Sequence, residues 1–323
     1  MYPRTFFRLF AVAALATPIL AHAQDFTPTG DRIVSDPTYL PLKGEFLGQS
    51  GYEYGRTTSN SFGAAGAVSS GRTSSNTFSQ SLTYGLTDAL SVNVGMDYQT
   101  DRFRSSSAKG VTETSPQGFN DPSFGVTYRA IDQRSHPVSV DLFASYSPDV
   151  FPAHADNTFG GGTVARGGDA TQLGFAVGRE TRMFTVQGVF SDTYSGGRST
   201  FNQVSDGTTY GSGYWTPSIA LKTQTRFNDR TSINVGADYT LPGNTLVSNN
   251  FNTVSREVRQ GDYAGVNVSL NYHIIPNALV GSLDYRHVFY DHSDNVFAAD
   301  PSLDSRVERT GNVFGGTLRY VFR

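Results

Sequence analysis

The segment "SQSLTYGLTDALSVNVGMDYQ" constrains the fold more than any other stretch of this 323-residue chain. Phe78, Leu82, Tyr84 and Leu86 fall on one face of an extended strand, and after Thr87-Asp88-Ala89 so do Leu90, Val92, Val94, Met96 and Tyr98. The opposite face carries Ser79, Ser81, Thr83 and Gly85, then Ser91, Asn93, Gly95 and Asp97. A period of two over both arms, broken by a short turn, specifies a hairpin with one apolar face and one small polar face. A helix would scatter both sets.

The unit recurs. "RFNDRTSINVGADYT" repeats the turn and rising strand, with Ile233, Val235, Ala237 and Tyr239 as its apolar set. Other tight turns fall near 131–136, 180–183 and 275–278, whereas long Gly-, Ser-, Asn- and Asp-rich links fall near 56–76, 103–119, 147–169, 195–212, 241–261 and 291–310. With strands beginning near Lys43 and ending at Phe322, the count is twelve, every tight turn on one side and every long link on the other. A soluble sandwich has no reason to sort its connections in this way. An outer-membrane barrel does so, with turns in the periplasm and loops outside the cell. The expected fold is all-β: a single up-and-down antiparallel transmembrane β-barrel of 12 strands.

Which face meets lipid follows from bulk. In a lipocalin-like barrel the apolar face would fill the interior, but here the start of the chain argues for export. Arg4 and Arg8 precede an apolar run from Leu9 to Leu20 and the small-residue site Ala21-His22-Ala23. This pattern reads as a cleaved signal peptide over 1–23, too short in its apolar run to span a bilayer as a helix. Residues 24–42, with Pro28, Pro37 and Pro41, form an extended periplasmic leader or a plug, and 43–323 form the barrel. Aromatic residues sort to two depths, Tyr84, Tyr128, Phe184, Phe227 and Tyr272 toward the short-turn end and Phe78, Tyr98, Tyr146, Tyr239, Tyr285 and Phe289 toward the other. Their amphipathic rings suit the two headgroup zones.

The last strand, "GGTLRYVFR", alternates Phe314, Leu318, Tyr320 and Phe322 against Thr317 and Arg319. It resembles the C-terminal signal by which outer-membrane barrels are read by the barrel assembly machinery; Arg323 departs from the usual final Phe. The expected location is the outer membrane of a Gram-negative bacterium, with membrane lipid and that machinery as partners. Removal of the signal leaves 23 basic against 28 acidic residues, a formal charge of −5 without a basic block, so nucleic acid is not an expected partner. The chain has no Cys, which excludes disulfides and thiolate metal sites.

With lipid outside, the inward positions are small, among them Gly51, Ser81, Gly95, Gly125 and Gly174, and a water-filled lumen follows. Its charged pore-lining candidates are Glu45, Glu53, Asp97, Asp141, Glu180, Asp238 and Asp284 against Arg129, Lys222, Arg226, Arg286 and Arg319. Near balance predicts weak ion selectivity, slightly favouring cations. Cross-strand pairs of Arg129 with Asp141 and Lys222 with Asp238 are expected. No Ser-His-acid set is evident around His136, His154, His273, His287 or His292, so the chain is read as non-enzymatic. Neither the loop cluster Asp291, His292, Asp294 nor the pair His154, Asp156 extends into a regular ligand spacing, and no metal or cofactor is expected.

The stretch "GFNDPSFGVTYRAIDQRSHPVSVDLFASYSPD" resembles the outer-membrane β-barrel transporter family of the MetA-pathway of phenol degradation type. That resemblance implies passage of small aromatic or hydrophobic compounds. The functional expectation is a channel for passive diffusion of small solutes. A structural or adhesive surface barrel with a poorly conducting lumen is the alternative, and an outer-membrane hydrolase a third reading.

Overall fold

In a computed structural model the described residues are 33–63, 66, 68–108, 110–155, 163–202, 207–249 and 255–322. The expected signal peptide, residues 24–32 of the leader, Asp156 and Arg323 lie outside them.

Twelve strands close into one antiparallel barrel: β1 Phe46–Gly63, β2 Val68–Gly85, β3 Leu90–Ser107, β4 Ser123–Ile131, β5 Ser139–Ser147, β6 Ala170–Glu180, β7 Phe184–Ser195, β8 Tyr214–Arg226, β9 Thr231–Thr240, β10 Tyr263–Ile275, β11 Leu279–Tyr290 and β12 Ser305–Phe322. Each pairs with its chain neighbours, and β12 returns to β1 in unbroken register from Phe46↔Phe322 to Gly63↔Ser305. The turns at one end are three to seven residues long. Links at the other end, apart from that between β1 and β2, are longer and partly ordered as ribbons, such as Arg198–Asn202 with Gly207–Gly211.

The first long link departs from expectation. Residues 56–76 form no loop, because β1 and β2 continue to Gly63 and from Val68, leaving only 64–67 between them. Much of 103–119 and of 291–310 is likewise strand, with Gly110–Thr114 paired to β3 and β12 starting at Ser305. An 18-residue strand is about 60 Å long, whereas the apolar band of a membrane barrel is about 25 Å tall. Beyond that band both faces meet water, so Ser, Thr and Asn occupy alternate positions on either side and the periodicity that marks a strand disappears. Outside the band, Arg102 on β3 bonds Glu113 at 2.6 Å, and that hydrogen bond holds the Glu113 carboxyl below its ordinary range.

The molecule is inside out relative to a soluble domain. Every strand exposes at least one large apolar side chain, from Tyr52, Leu82, Val94 and Phe124 round to Leu270, Leu283 and Phe314, and Leu283 is 69% exposed. Among the described residues, twenty buried polar or charged residues stand against ten buried apolar ones. An apolar belt of this extent marks a surface that contacts lipid. Aromatic rings cluster at the short-turn end of the seam, where Phe46 lies 4.6 Å from Tyr84 and 5.2 Å from Phe322 between centroids. Tyr285 and Phe314 meet at 4.9 Å farther up. Phe184 is an exception to the expected belt: it is buried beside the 181–183 turn, where Thr181 Oγ bonds both of its backbone groups.

Seam closure needs close approach at Gly48, where an added Cβ would lie 2.2 Å from the Tyr320 ring. Gly48→Val should therefore weaken the barrel by about 1–3 kcal/mol, seen as a lower temperature for the shift in electrophoretic mobility on heating. Gly188→Ala, with nothing within 4 Å of the new carbon, should leave that temperature unchanged.

Candidate functional site

Residues facing the lumen stand opposite the exposed apolar set on every strand. Into its short-turn end comes the segment preceding β1. Val34, Ser35, Asp36, Thr38, Leu40 and Pro41 are all buried, and Gly85 leaves room for it, since a Cβ there would lie 2.0 Å from Leu42 O. Gly44, at φ +80°, turns the chain from this segment into β1.

Asp36 is the centre of the attachment. Its Oδ1 accepts from the Thr38 backbone N–H at 2.8 Å and hydroxyl at 2.7 Å, closing a local turn. Oδ2 accepts from Arg226 Nη2 at 2.7 Å and from the Thr185 hydroxyl. Arg226 also donates to Glu180 Oε1 at 2.8 Å and to the carbonyls of Thr181 and Arg182, so one guanidinium joins β8, the β6–β7 turn and the segment. Beside it, Gln224 Nε2 donates to Ser35 O and Oγ at 3.0 and 2.9 Å, and Ser35 Oγ meets His273 Nε2 at 3.0 Å. Arg129 forks onto Asp141 at 2.8 and 3.0 Å, as expected from the sequence, and also donates to Thr38 O. Glu45 accepts from Leu42 N at 2.9 Å where the segment enters β1.

Of the twelve charged candidates, Glu45, Arg129, Asp141, Glu180 and Arg226 are thus gathered at or near this segment. Lys222 and Asp238 do not pair, which corrects the sequence expectation. Register sets Lys222 opposite Gly236 and Asp238 opposite Ala220. Asp238 instead takes Arg286 Nη2 at 2.7 Å, reaching over Gly265, whose missing side chain leaves the path open. Glu53, Asp97 and Asp284 stand on alternate strands of the wall, Glu53 and Asp284 flanking Gly315 in register and Asp97 opposite Ser79, and Asp284 accepts from Thr317. Lys222 and Arg319 both border the cavity above the segment.

Two cavities in the lumen are bounded by described residues. The upper, of 500 Å³, is lined by Ser79, Ser81, Gly95 and Asp97 from the wall and by Asn120 and Arg166 from long links that fold inward. Asp121 fixes one such link by accepting from the backbone of Val150 and Phe151 at 2.9 Å each, while its Oδ2 is buried without a partner among the described residues. The lower, of 310 Å³, lies directly above Val34–Tyr39, and Gln49 borders both. Phe143 also faces inward, seated over Gly174; its apolar type gave no sign of this, though the Gly in register with it could have done so.

The Ser35–His273 contact is the nearest approach to hydrolase chemistry and was not visible in the sequence, the two lying 238 positions apart. Ser35 is 1% exposed, and among the described residues no carboxylate bonds His273. A nucleophile needs both access and an oriented base. His292 bonds Asp291 at 2.9 Å, and Asp294, 3.6 Å from the same ring, is shared with Arg306.

No protein-family model matches the chain, and no curated protein matches it by sequence. Among solved structures, the COG4313 outer membrane channel from Pseudomonas putida F1 is similar at 16% identity and a TM-score of 0.55, over 91% of this chain and 98% of that one. The transport unit of the autotransporter AIDA-I from Escherichia coli is similar at 10% identity and a TM-score of 0.56, over 96% and 98%. At such identities the likeness is one of fold, a membrane-spanning β-barrel.

Breaking the Arg226 centre leaves Asp36 as a buried carboxylate without its cation, at a cost of about 3–5 kcal/mol. Arg226→Leu should release residues 33–42, so that their backbone amides exchange hydrogen much faster while those of β1 and β12 keep their protection. Unchanged protection of 33–42 would show that the segment is held by other contacts.

Proposed function

We propose that this chain is an outer-membrane channel through which small solutes diffuse passively, without catalysis. The observation that carries the reading is a closed barrel whose interior holds cavities of 500 and 310 Å³, both bordered by Gln49. Structural likeness to a solved outer membrane channel supports it. In this reading the short-turn end faces the periplasm, the ribbons face outward, and 1–23 are removed on export.

The twelve charged candidates line or brace the conduction path. Glu53, Asp97 and Asp284 set a mild cation preference in the outer half, and the Asp238–Arg286 and Arg129–Asp141 pairs neutralise one another on the wall. Phe314, Leu318, Tyr320 and Phe322 serve as the strand read during assembly, supported by their place at the closing seam. Residues 24–42 act as a plug, since 33–42 sit in the periplasmic mouth and make polar contacts with β4, β7, β8, β9 and β10 around it.

Conduction tests this. Purified protein in a planar bilayer should pass KCl current in small steps, and deletion of residues 25–40 should raise the step size severalfold. A wild-type protein and deletion that are both silent would favour a surface barrel whose ribbons, not its lumen, do the work.

A further inference from the structure

The lower cavity carries a charge imbalance that the wall does not resolve. Lys222 enters it from β8 and Arg319 from β12, with β9, β10 and β11 between them, so the two cations converge across the lumen. They repel each other. Among the described residues neither makes an ion pair. Arg319 Nε donates to Gln49 Oε1 at 3.1 Å, which leaves its terminal nitrogens for another partner. Asp238, the acid nearest in effect to Lys222, is engaged by Arg286, and Asp284, which acts on Arg319, accepts from Thr317. The third charge bordering the cavity is Asp36, saturated by Thr38, Thr185 and Arg226.

The rest of the wall has two characters. Asn234, Asn267 and Ser269 add neutral donors beside the cations. Val34 and Pro37 of the segment, with Leu47 of β1, supply an apolar side. A guanidinium and an ammonium facing one another favour an anion between them, and the fork of Arg matches the two oxygens of a carboxylate. An inorganic anion would use the cations alone and leave the apolar side unfilled. The volume of 310 Å³ is at the lower end of small-molecule sites, about 300–1,000 Å³. The acids Glu53, Asp97 and Asp284 are not part of this wall.

Building on the channel reading, we infer that the lower cavity is a binding site for a small organic monocarboxylate, its carboxylate held between Lys222 and Arg319 and its apolar body against Val34, Pro37 and Leu47. The plug then forms the floor of the site, so a solute arriving from outside meets its recognition step directly above the closed mouth.

Calorimetric titration of the detergent-solubilised mature protein tests the site, with benzoate, acetate and benzyl alcohol as probes. Benzoate should bind about tenfold more tightly than either of the others, the one lacking the ring and the other the charge. Lys222→Gln should lower benzoate affinity about tenfold; the Lys222 side chain makes no hydrogen bond among the described residues, and retention of the heat-dependent mobility shift reports that the variant is folded. Equal affinity for all three probes, tighter binding of acetate, or unchanged benzoate affinity in Lys222→Gln would overturn the assignment, and the probe comparison on the wild type needs no variant. KCl conductance with no benzoate binding would sink this inference and leave the channel intact, whereas benzoate binding without conductance would sink the channel and leave the site.

Discussion

Everything in this molecule depends on the seam between β12 and β1. In hydrocarbon an unpaired backbone amide has no water to turn to, so a spanning sheet is viable only when it has no edge. Here the two strands pair in register along their whole 18-residue lengths. Gly48 leaves space for the Tyr320 ring, and Phe46 stacks on Phe322, so the residues that close the sheet also form its aromatic border. Once the sheet is closed, the alternation of side chains fixes everything else: one set of positions must satisfy lipid and the other must tolerate water.

That inversion explains how the interior is organised. Without an apolar core, segments inside the barrel are held by hydrogen bonds and ion pairs, and the segment before β1 is held by Asp36 to a buried guanidinium. A buried pair of this kind contributes less to stability than its geometry suggests, because both charges lose water. Its value lies in specifying one position for the segment, since any other would strand a charge. The same economy leaves Lys222 and Arg319 without carboxylates in a wall where other opposite charges have found each other. The acids toward the ribbon end and the two cations above the segment that precedes β1 therefore give the lumen a polarity along its axis that a count of charges does not show.

The barrel was legible in the sequence because lipid imposes a strict period of two: Leu82, Val94, Val235 and Phe314 face outward as their spacing requires. Strand extensions beyond the membrane were not legible, because residues such as Ser59, Thr73 and Arg104 meet water on both faces and carry no alternation. Arg129–Asp141 could be read, since the partners lie across one hairpin in direct register. Asp238–Arg286 could not, as it spans two strands over a glycine and competes with the nearer Lys222. The lodging of Ser35 and Asp36 was equally hidden: their partners Gln224, Arg226 and His273 are 189 to 238 positions away, and proline-rich composition describes a plug and a free leader alike.

The central claim is the direction in which the two faces point, and adjacent residues on β2 test it because the chain has no native Cys. Ser81 borders the upper cavity and Leu82 is exposed on the opposite face. Spin labels on Ser81→Cys and Leu82→Cys in lipid vesicles can be compared by power saturation with oxygen, which partitions into lipid, and with a water-soluble nickel chelate. The label at 82 should relax with oxygen and ignore nickel, and the label at 81 should do the reverse. Exchange of those two responses, or nickel access at both positions, would contradict a barrel that carries its apolar face in lipid and its polar face around water.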